Sequence, residues 1–215
     1  MKEKKFITVA IDSEASAGGG TQAKLISKHY NLYYLDTGKI YRYIALLKIK
    51  NPKSFGYNFL KKKIKFLKVS NLKNKLLLSE EIGKIASQIA KQIKVRKLVH
   101  KFQIKCAYSP PRNFKGSCLD GRDITTKILP KAMFKFFIFA NIKVRAKRRY
   151  LELKKFNNEI SLSEVQKSIE FRDKSDYERK HSPLKRTKDQ VLINSSNLSK
   201  KACFLKIKKI MDKKL

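Results

Sequence analysis

The run Asp12-Ser13-Glu14-Ala15-Ser16-Ala17-Gly18-Gly19-Gly20-Thr21 sets small residues between an apolar, β-branched segment, Phe6–Ile11, and a helix-like one, Gln22–Tyr30. A strand turning through such residues into a helix aims several backbone N–H groups and a helix N-terminus at one spot, which suits an anion. The phosphate-loop consensus is G-x-x-x-x-G-K-[ST]. Here Ser13 stands at its first glycine and Gly19 at its lysine, while Gly18 and Thr21 bracket the lysine slot with Gly20 inserted. The glycines let backbone approach phosphate closely, and Thr21 would bring a hydroxyl to a phosphate-bound Mg²⁺. Taken alone, the segment serves equally well as a flexible strand-to-helix turn.

Three other constellations bear on the same chemistry. Asp36-Thr37-Gly38-Lys39-Ile40-Tyr41-Arg42 places an arginine one turn into a helix, where a guanidinium could grip phosphate bidentately. Asp120-Gly121-Arg122-Asp123 flanks an arginine with two carboxylates at a strand end. Arg145, Arg148 and Arg149 share one side of a helix, as do Arg172, Asp176 and Arg179. Two arginine patches, one holding an aspartate, suit a phosphoryl group beside a sugar diol. The bland alternatives are an exposed helix arginine, an ion-pair turn and solvated helix faces.

The elements that must position these groups alternate in type. Short apolar runs read as strands at Phe6–Ile11, Leu32–Leu35, Gly116–Leu119, Phe134–Phe139 and Gln190–Asn194. Helical patterns fill Gln22–Tyr30, Lys39–Lys50 (capped by Thr37 and stopped by Pro52), Ser79 to Ile93, Val95–Cys106 and Ile142–Lys155. Ser161-Leu162-Ser163-Glu164 is a capping signature that opens a helix toward Asp173, and Ser199 caps a last helix running to about Met211. Residues 52–78 read as short strands or irregular structure. Strands alternating with helices imply βαβ units and an α/β fold with a parallel sheet, whose ligands bind at the strands' carboxyl ends. Asp12–Thr21, Asp36–Arg42 and Asp120–Asp123 all follow strands, so one crevice is expected to receive all three.

Composition narrows the classes. The net charge of +35 invites a nucleic-acid reading. Lysine is nevertheless scattered, with no basic tail apart from the body, and basic footprints are normally clustered. The expectation is therefore no specific nucleic acid, although a basic surface would still attract polyanionic substrates. Cys106, Cys118 and Cys203 form no C-x-x-C pair and read as reduced structural thiols. His29, His100 and His181 show no metal-ligand spacing. Lys2–Lys5 followed by an apolar stretch mimics a secretory signal, but the stretch stops at Asp12, short of a core of roughly 7–15 residues. No run approaches a membrane span of about 18 apolar residues. A cytoplasmic monomer that binds no membrane is expected.

In this order the segments resemble the bacterial cytidylate kinases, the CMP/dCMP kinases of the nucleoside-monophosphate kinase family of P-loop NTPases. The resemblance is carried by Ile11-Asp12 with Gly18–Thr21, by Tyr34 to Arg42, by Ala86-Ser87-Gln88-Ile89-Ala90 with Val95-Arg96, by Asp120–Asp123, by Arg145–Arg149, by Arg172-Asp173 with Asp176 and Arg179, and by Pro183-Leu184. It implies a single kinase domain over 1–215, a three-layer P-loop fold around a parallel sheet. An inserted acceptor-binding lobe would lie near 52–95, and a lid region with its flanking helices near 145–180. The implied reaction is ATP-dependent phosphorylation of CMP or dCMP with Mg²⁺. Ala17, Gly18, Gly19, Gly20 and Thr21 would bind ATP, with Thr21 at the metal. Thr37, Arg42, Arg122 and Arg179 would hold the acceptor, Ser87, Arg96 and Asp123 would read cytosine, and Asp176 would take the ribose hydroxyls. Arg122, Arg179, Arg145 and Arg149 would carry the transfer.

The departures lie in the loop. Members of that family have lysine where Gly19 stands, glycine where Ser13 stands, and usually proline or threonine where Glu14 stands. Losing a preorganised charged donor costs on the order of 10²–10³ in rate. Glu14 adds negative charge beside a polyphosphate unless it points away. Lys24 reaching back from the helix, a slower enzyme that relies on amides and arginines, and a nucleotide-binding pseudoenzyme are the competing readings; a basic nucleic-acid-binding protein is the remote one.

Overall fold

The computed structural model describes residues 6–155 and 159–215; Lys2–Lys5, and the stretch 156–158 within the expected lid span, lie outside them. Five strands form: β1 (Ile7–Ser13), β2 (Tyr33–Asp36), β3 (Gly116–Gly121), β4 (Phe134–Phe139) and β5 (Val191–Asn194). All pair in parallel, in the spatial order β2-β3-β1-β4-β5. The helices are α1 (Gly19–Tyr30), α2 (Gly38–Lys50), α3 (Tyr57–Lys65), α4 (Glu80–Ile89), α5 (Ile93–Tyr108), α6 (Ile142–Leu153), α7 (Leu162–Glu178) and α8 (Lys200–Asp212).

Every residue of β1 is buried, because the central strand of a parallel sheet is covered on both faces. Period-two alternation sorts its side chains. Val9 and Ile11 pack with Ala23 and Ile26 of α1 and with Cys203 and Ile207 of α8. Ala10 packs with Leu35, Leu119 and the apolar sides of α2 to α5. A smaller cluster joins Ala15, in the turn after β1, to Ala146 of α6 and to Val165 and Ile169 of α7. Burying these side chains stabilises the chain by about 25 cal/mol per Å² of apolar surface.

Residues 52–78, expected as short strands or irregular structure, contain no strand. They form α3 and two 3₁₀ turns, Val69–Lys73 and Lys75–Leu78. Leu60 and Ile64, one helical turn apart, are the buried residues of α3, and lysines occupy its outer side. Two apolar residues in so short a helix leave little periodicity to detect. Leu60, Ile64, Leu72 and Leu77 belong to the same core as Leu35 and Leu119 of the sheet. The expected helix from Ser79 to Ile93 breaks at 90–92, between α4 and α5. Ser161 forms the full capping box with Glu164, and its helix continues past Asp173 to Glu178.

The topology creates the crevice. The chain leaves β1 for β2 on one side and leaves β3 for β4 on the other, so the carboxyl ends of these neighbours open outward. Asp12, near the end of β1, staples the floor. Its carboxylate accepts from Ile124 N (2.7 Å) and Thr125 N (3.0 Å), from the Thr125 hydroxyl, and from Gln190 Nε2 (3.3 Å). Ile124–Ile128 is a single π-helical turn directly after Asp123. Burial pushes the Asp12 carboxyl up to about 6 from 3.8 against the pull of these donors.

Asp12→Asn keeps the shape but turns an amide toward N–H donors. It should lower the unfolding free energy by about 1–3 kcal/mol in urea titrations. The folded chain holds the Asp12 proton more tightly than the unfolded one. The Asp12 contribution is therefore full below about 4 and is lost as pH rises through about 6. The stability difference between wild type and Asp12→Asn should shift in that direction between pH 4 and 7.

Candidate active site

The loop between β1 and α1 has the shape of an amide cradle. Ser16 (φ 59°) and Gly18 (φ 97°) turn through the left-handed region, and Gly18 sits at the N-terminus of α1. At Gly18 this backbone favours glycine. The first-turn amides of α1, from Gly19, Gly20 and Thr21, have no acceptor within the helix and form the anion-facing set. Ala17, Gly18, Gly19, Gly20 and Thr21 are thus brought together as expected.

The loop is held from outside. Ala15 N donates to Asp173 Oδ1 (3.0 Å) and Ala15 O accepts from Arg145 Nη1 (3.1 Å). Arg145 Nη1 also pairs with Asp173 Oδ2, and Arg145 Nε donates to Ala140 O (2.8 Å). Ala17 O accepts from the Ser195 hydroxyl (2.8 Å). The Glu14 carboxylate accepts from Tyr177 OH (3.1 Å) and Ala140 N (3.4 Å), with Arg145 Nε at 3.5 Å. The negative charge introduced at Glu14 is therefore committed to α6, α7 and the end of β4.

Asp36 closes β2, and its register partner Asp120 stands one residue before the end of β3. Asp120 is buried with the Tyr34 hydroxyl directed at its carboxylate, although neither that hydroxyl nor Asp120 Oδ1 reaches full hydrogen-bond geometry with any described residue. A Cβ on Gly20 would lie 3.2 Å from Asp120 Oδ2, so a side chain here would push the carboxylate back by a few tenths of an ångström. Burial, then the Asp36 charge, holds Asp120 well above the usual carboxylate range, while the Tyr34 hydroxyl, then Arg122 and Lys24, pull it down. A buried carboxylate whose Oδ2 faces Gly20 and whose Oδ1 makes no hydrogen bond has the chemistry of a Mg²⁺ ligand, since such sites use one or two carboxylates plus phosphate oxygens. Sequence reasoning noted Asp120 without giving it a role; its signal is that Asp36 and Asp120 both stand at or beside a strand end. Lys24 is exposed on α1, and its charge reaches this cluster.

The acceptor side is dominated by guanidinium. Arg122 Nε donates to Asp176 Oδ2 (2.8 Å), and Arg179 Nη1 donates to Asp176 Oδ1 (3.0 Å). Arg179 Nη2 is buried without a partner. Arg96 pairs with Asp123 at 2.5 Å, donates to Ala90 O (2.9 Å), and lies 5.4 Å from the centre of the Tyr41 ring. Ser87, on α4, is half-buried. Arg42 crosses Gly83, where a Cβ would come within 2.8 Å of its Nη2, and donates to Leu77 O (2.7 Å) and Ser79 O (2.9 Å). Burial, then the charges of Arg172 and Arg149, pulls Arg42 down to about 10. Arg172 makes no hydrogen bond or ion pair with the described residues; burial and the Arg122 charge lower its pKa. A cavity of about 350 Å³ lies between α4, α6 and α7, with Glu80, Arg149, Ser168 and Arg172 on its wall.

Two expectations change. Thr37 does not cap α2 with its side chain; its buried hydroxyl donates to Asp120 O (2.9 Å), and Asp36 Oδ1 accepts from Lys39 N (3.1 Å) instead. Arg145, Arg148 and Arg149 do not form one patch. Arg145 holds the loop, Arg148 donates to Ser195 O (2.7 Å) and Ser195 Oγ (3.1 Å), and Arg149 pairs with Glu80 and donates to Leu78 O (3.2 Å). A common helical face does not give a common site when three carbonyl-rich turns compete for its guanidiniums.

The family model described as Cytidylate kinase matches residues 9–213. The chain is 39% identical over 204 residues to the cytidylate kinase of Bartonella tribocorum, with 94% of this chain and 92% of the relative covered. It is 36% identical over 216 residues to that of Thermosipho melanesiensis, covering 96% and 97%. A crystal structure of an uncharacterized protein from Eubacterium ventriosum, 16% identical, superposes with a TM-score of 0.56 over 96% of this chain and 98% of that one, which shows the fold alone.

Breaking the buried Arg145–Asp173 pair leaves an uncompensated charge. Arg145→Ala should therefore cost about 3–5 kcal/mol of unfolding free energy. Removing Arg148, which holds neutral acceptors, should cost about 1–2 kcal/mol. Chemical unfolding of the two variants checks the order.

Proposed function

The chain belongs to the cytidylate kinase family, and from that premise we propose that it transfers the γ-phosphoryl group of ATP to CMP or dCMP. The observation that carries the reading is the buried Arg96–Asp123 pair within electrostatic reach of Asp176 and Arg179. Cytosine presents a 4-amino donor and an N3 acceptor, and a carboxylate beside a guanidinium offers the complementary groups. Ser87 completes that edge. The acceptor phosphate is assigned to Arg42, Arg122 and Arg179, with the Thr37 hydroxyl oxygen beside them. The ribose is assigned to Asp176, whose carboxylate retains lone pairs beyond those used by Arg122 and Arg179.

The donor phosphates are assigned to the amides of 17–21. Mg²⁺ would be held by Thr21 and Asp120, the orphaned Oδ1 supporting this choice; when bound it supplies charge neutralisation at the donor phosphates. The attacking oxygen belongs to an acceptor phosphate and is anionic at neutral pH, so no side chain needs to remove a proton. The protein's task is in-line positioning and compensation of charge on the transferring group. Arg122 and Arg179 serve at the acceptor, and Arg149 serves once released from Glu80. Arg145, committed to Ala15 and Asp173, acts through the shape of the loop. Closure of the α6–α7 region would keep water from the γ-phosphate.

The pseudoenzyme reading rests on Gly19. Against it stand the complete acceptor-side set and the commitment of Glu14 away from the cradle. Purified protein with Mg·ATP should form CDP from CMP and dCDP from dCMP, with UMP and AMP as poorer acceptors. Absence of CDP, or faster turnover of AMP, contradicts the proposal. Asp123→Asn offers uracil a donor, so the CMP-over-UMP ratio of kcat/KM should fall by about 10²-fold.

A further inference from the structure

Ser13 and Gly19 are joined by a contact across the loop. A Cβ on Gly19 would lie 2.3 Å from Ser13 Oγ and 2.7 Å from Ser13 Cβ. Real Cβ atoms do not approach other heavy atoms this closely. Rotating the hydroxyl does not clear the space, because Ser13 Cβ is fixed by the backbone of β1, where Ser13 is in register with Ile138 of β4. Gly19 is not among the residues of positive φ, so its backbone would accept an L side chain. The glycine at 19 is thus required by the serine at 13, not by the turn. The two positions at which the loop departs from the phosphate-loop consensus are therefore one steric event.

The Ser13 hydroxyl is well placed to matter. It makes no hydrogen bond to the described residues, and although Ser13 is largely buried its oxygen is not fully enclosed. Its oxygen lies where a side chain at 19 would begin, next to the first amides of α1. Three neighbouring side chains are committed elsewhere: Glu14 to Tyr177 and Ala140, Asp173 to Ala15 and Arg145, Ser195 to Ala17.

We propose that Ser13 and Gly19 are an exchangeable pair, in which the Ser13 hydroxyl takes the place of the consensus lysine as a hydrogen-bond donor to the donor nucleotide's phosphate. This rests on the kinase reading above for its ligand, but not for its geometry. A neutral hydroxyl supplies direction without charge, so the transition-state charge falls more heavily on Mg²⁺, the amides and the arginines. The swap leaves a working cradle of lower rate.

The test uses the full-length chain and five proteins: wild type, Ser13→Ala, Ser13→Gly, Gly19→Lys, and Ser13→Gly with Gly19→Lys. Ligand-free thermal unfolding comes first. Gly19→Lys should lower Tm by more than about 5 °C through overpacking, and adding Ser13→Gly should recover most of that loss. Equal Tm for Gly19→Lys with and without Ser13→Gly overturns the pairing. Kinetics with Mg·ATP and CMP come second. Ser13→Ala should lower kcat by about 10- to 100-fold with KM for CMP unchanged. The double variant should exceed wild type by about 10²- to 10³-fold in kcat. Ser13→Ala matching wild type, or a folded double variant no faster than wild type, overturns the donor role. If no protein in the series turns over CMP, the kinase reading fails in that assay, while the unfolding series still decides the pairing.

Discussion

A loop that offers its amides to an anion cannot also satisfy them internally, so its shape has to be held from outside. That constraint organises the molecule. The buried Arg145–Asp173 pair grips both backbone groups of Ala15, while Ser195 holds Ala17 and the Ala15 methyl packs among Ala146, Val165 and Ile169. Four separate parts of the chain, α6, α7, the end of β4 and the turn after β5, meet at one short loop. Any displacement of α6 or α7 would therefore be felt by the loop through common atoms.

The acceptor side stores a different kind of preparation. Arg42 and Arg149 clasp the consecutive carbonyls of Leu77, Leu78 and Ser79 just before α4. Arg172 stands among Arg42, Arg122 and Arg149, with Glu80 and Asp176 as the opposing charges. Packing and backbone carbonyls hold these guanidiniums together against their repulsion. An anion placed among them would relieve that repulsion, and the cost of gathering the charges would then be met in folding and not at binding. This division explains how a cradle without its lysine can still belong to a productive site.

How much was visible in the amino-acid sequence follows from where the information lies. The strands were legible because β-branched and aromatic runs alternate with helical patterns, and the crevice followed from the carboxyl ends of those strands. Ser161 and Ser199 were legible as caps because capping is local. Residues 57–65 were not, since two buried apolar residues in a lysine-rich segment carry almost no period. The divergence of Arg145, Arg148 and Arg149 was hidden because a shared helical face says nothing about which distant carbonyls compete for each guanidinium. Asp120 was underrated because its partner Asp36 becomes a neighbour only through the β2–β3 register. The Ser13–Gly19 contact looked like two independent defects, since two residues six apart give no hint that they touch.

The central claim is that a cradle held open by α6, α7 and β4 transfers a phosphoryl group without a lysine. Single-turnover transfer measures it most directly. With enzyme in excess over γ-labelled ATP, Mg²⁺ present and CMP saturating, the account predicts that the label passes completely into CDP in one first-order phase, ahead of any release as inorganic phosphate. Retention of the label on ATP while CMP is demonstrably bound, or its release to water in place of CDP, would contradict it.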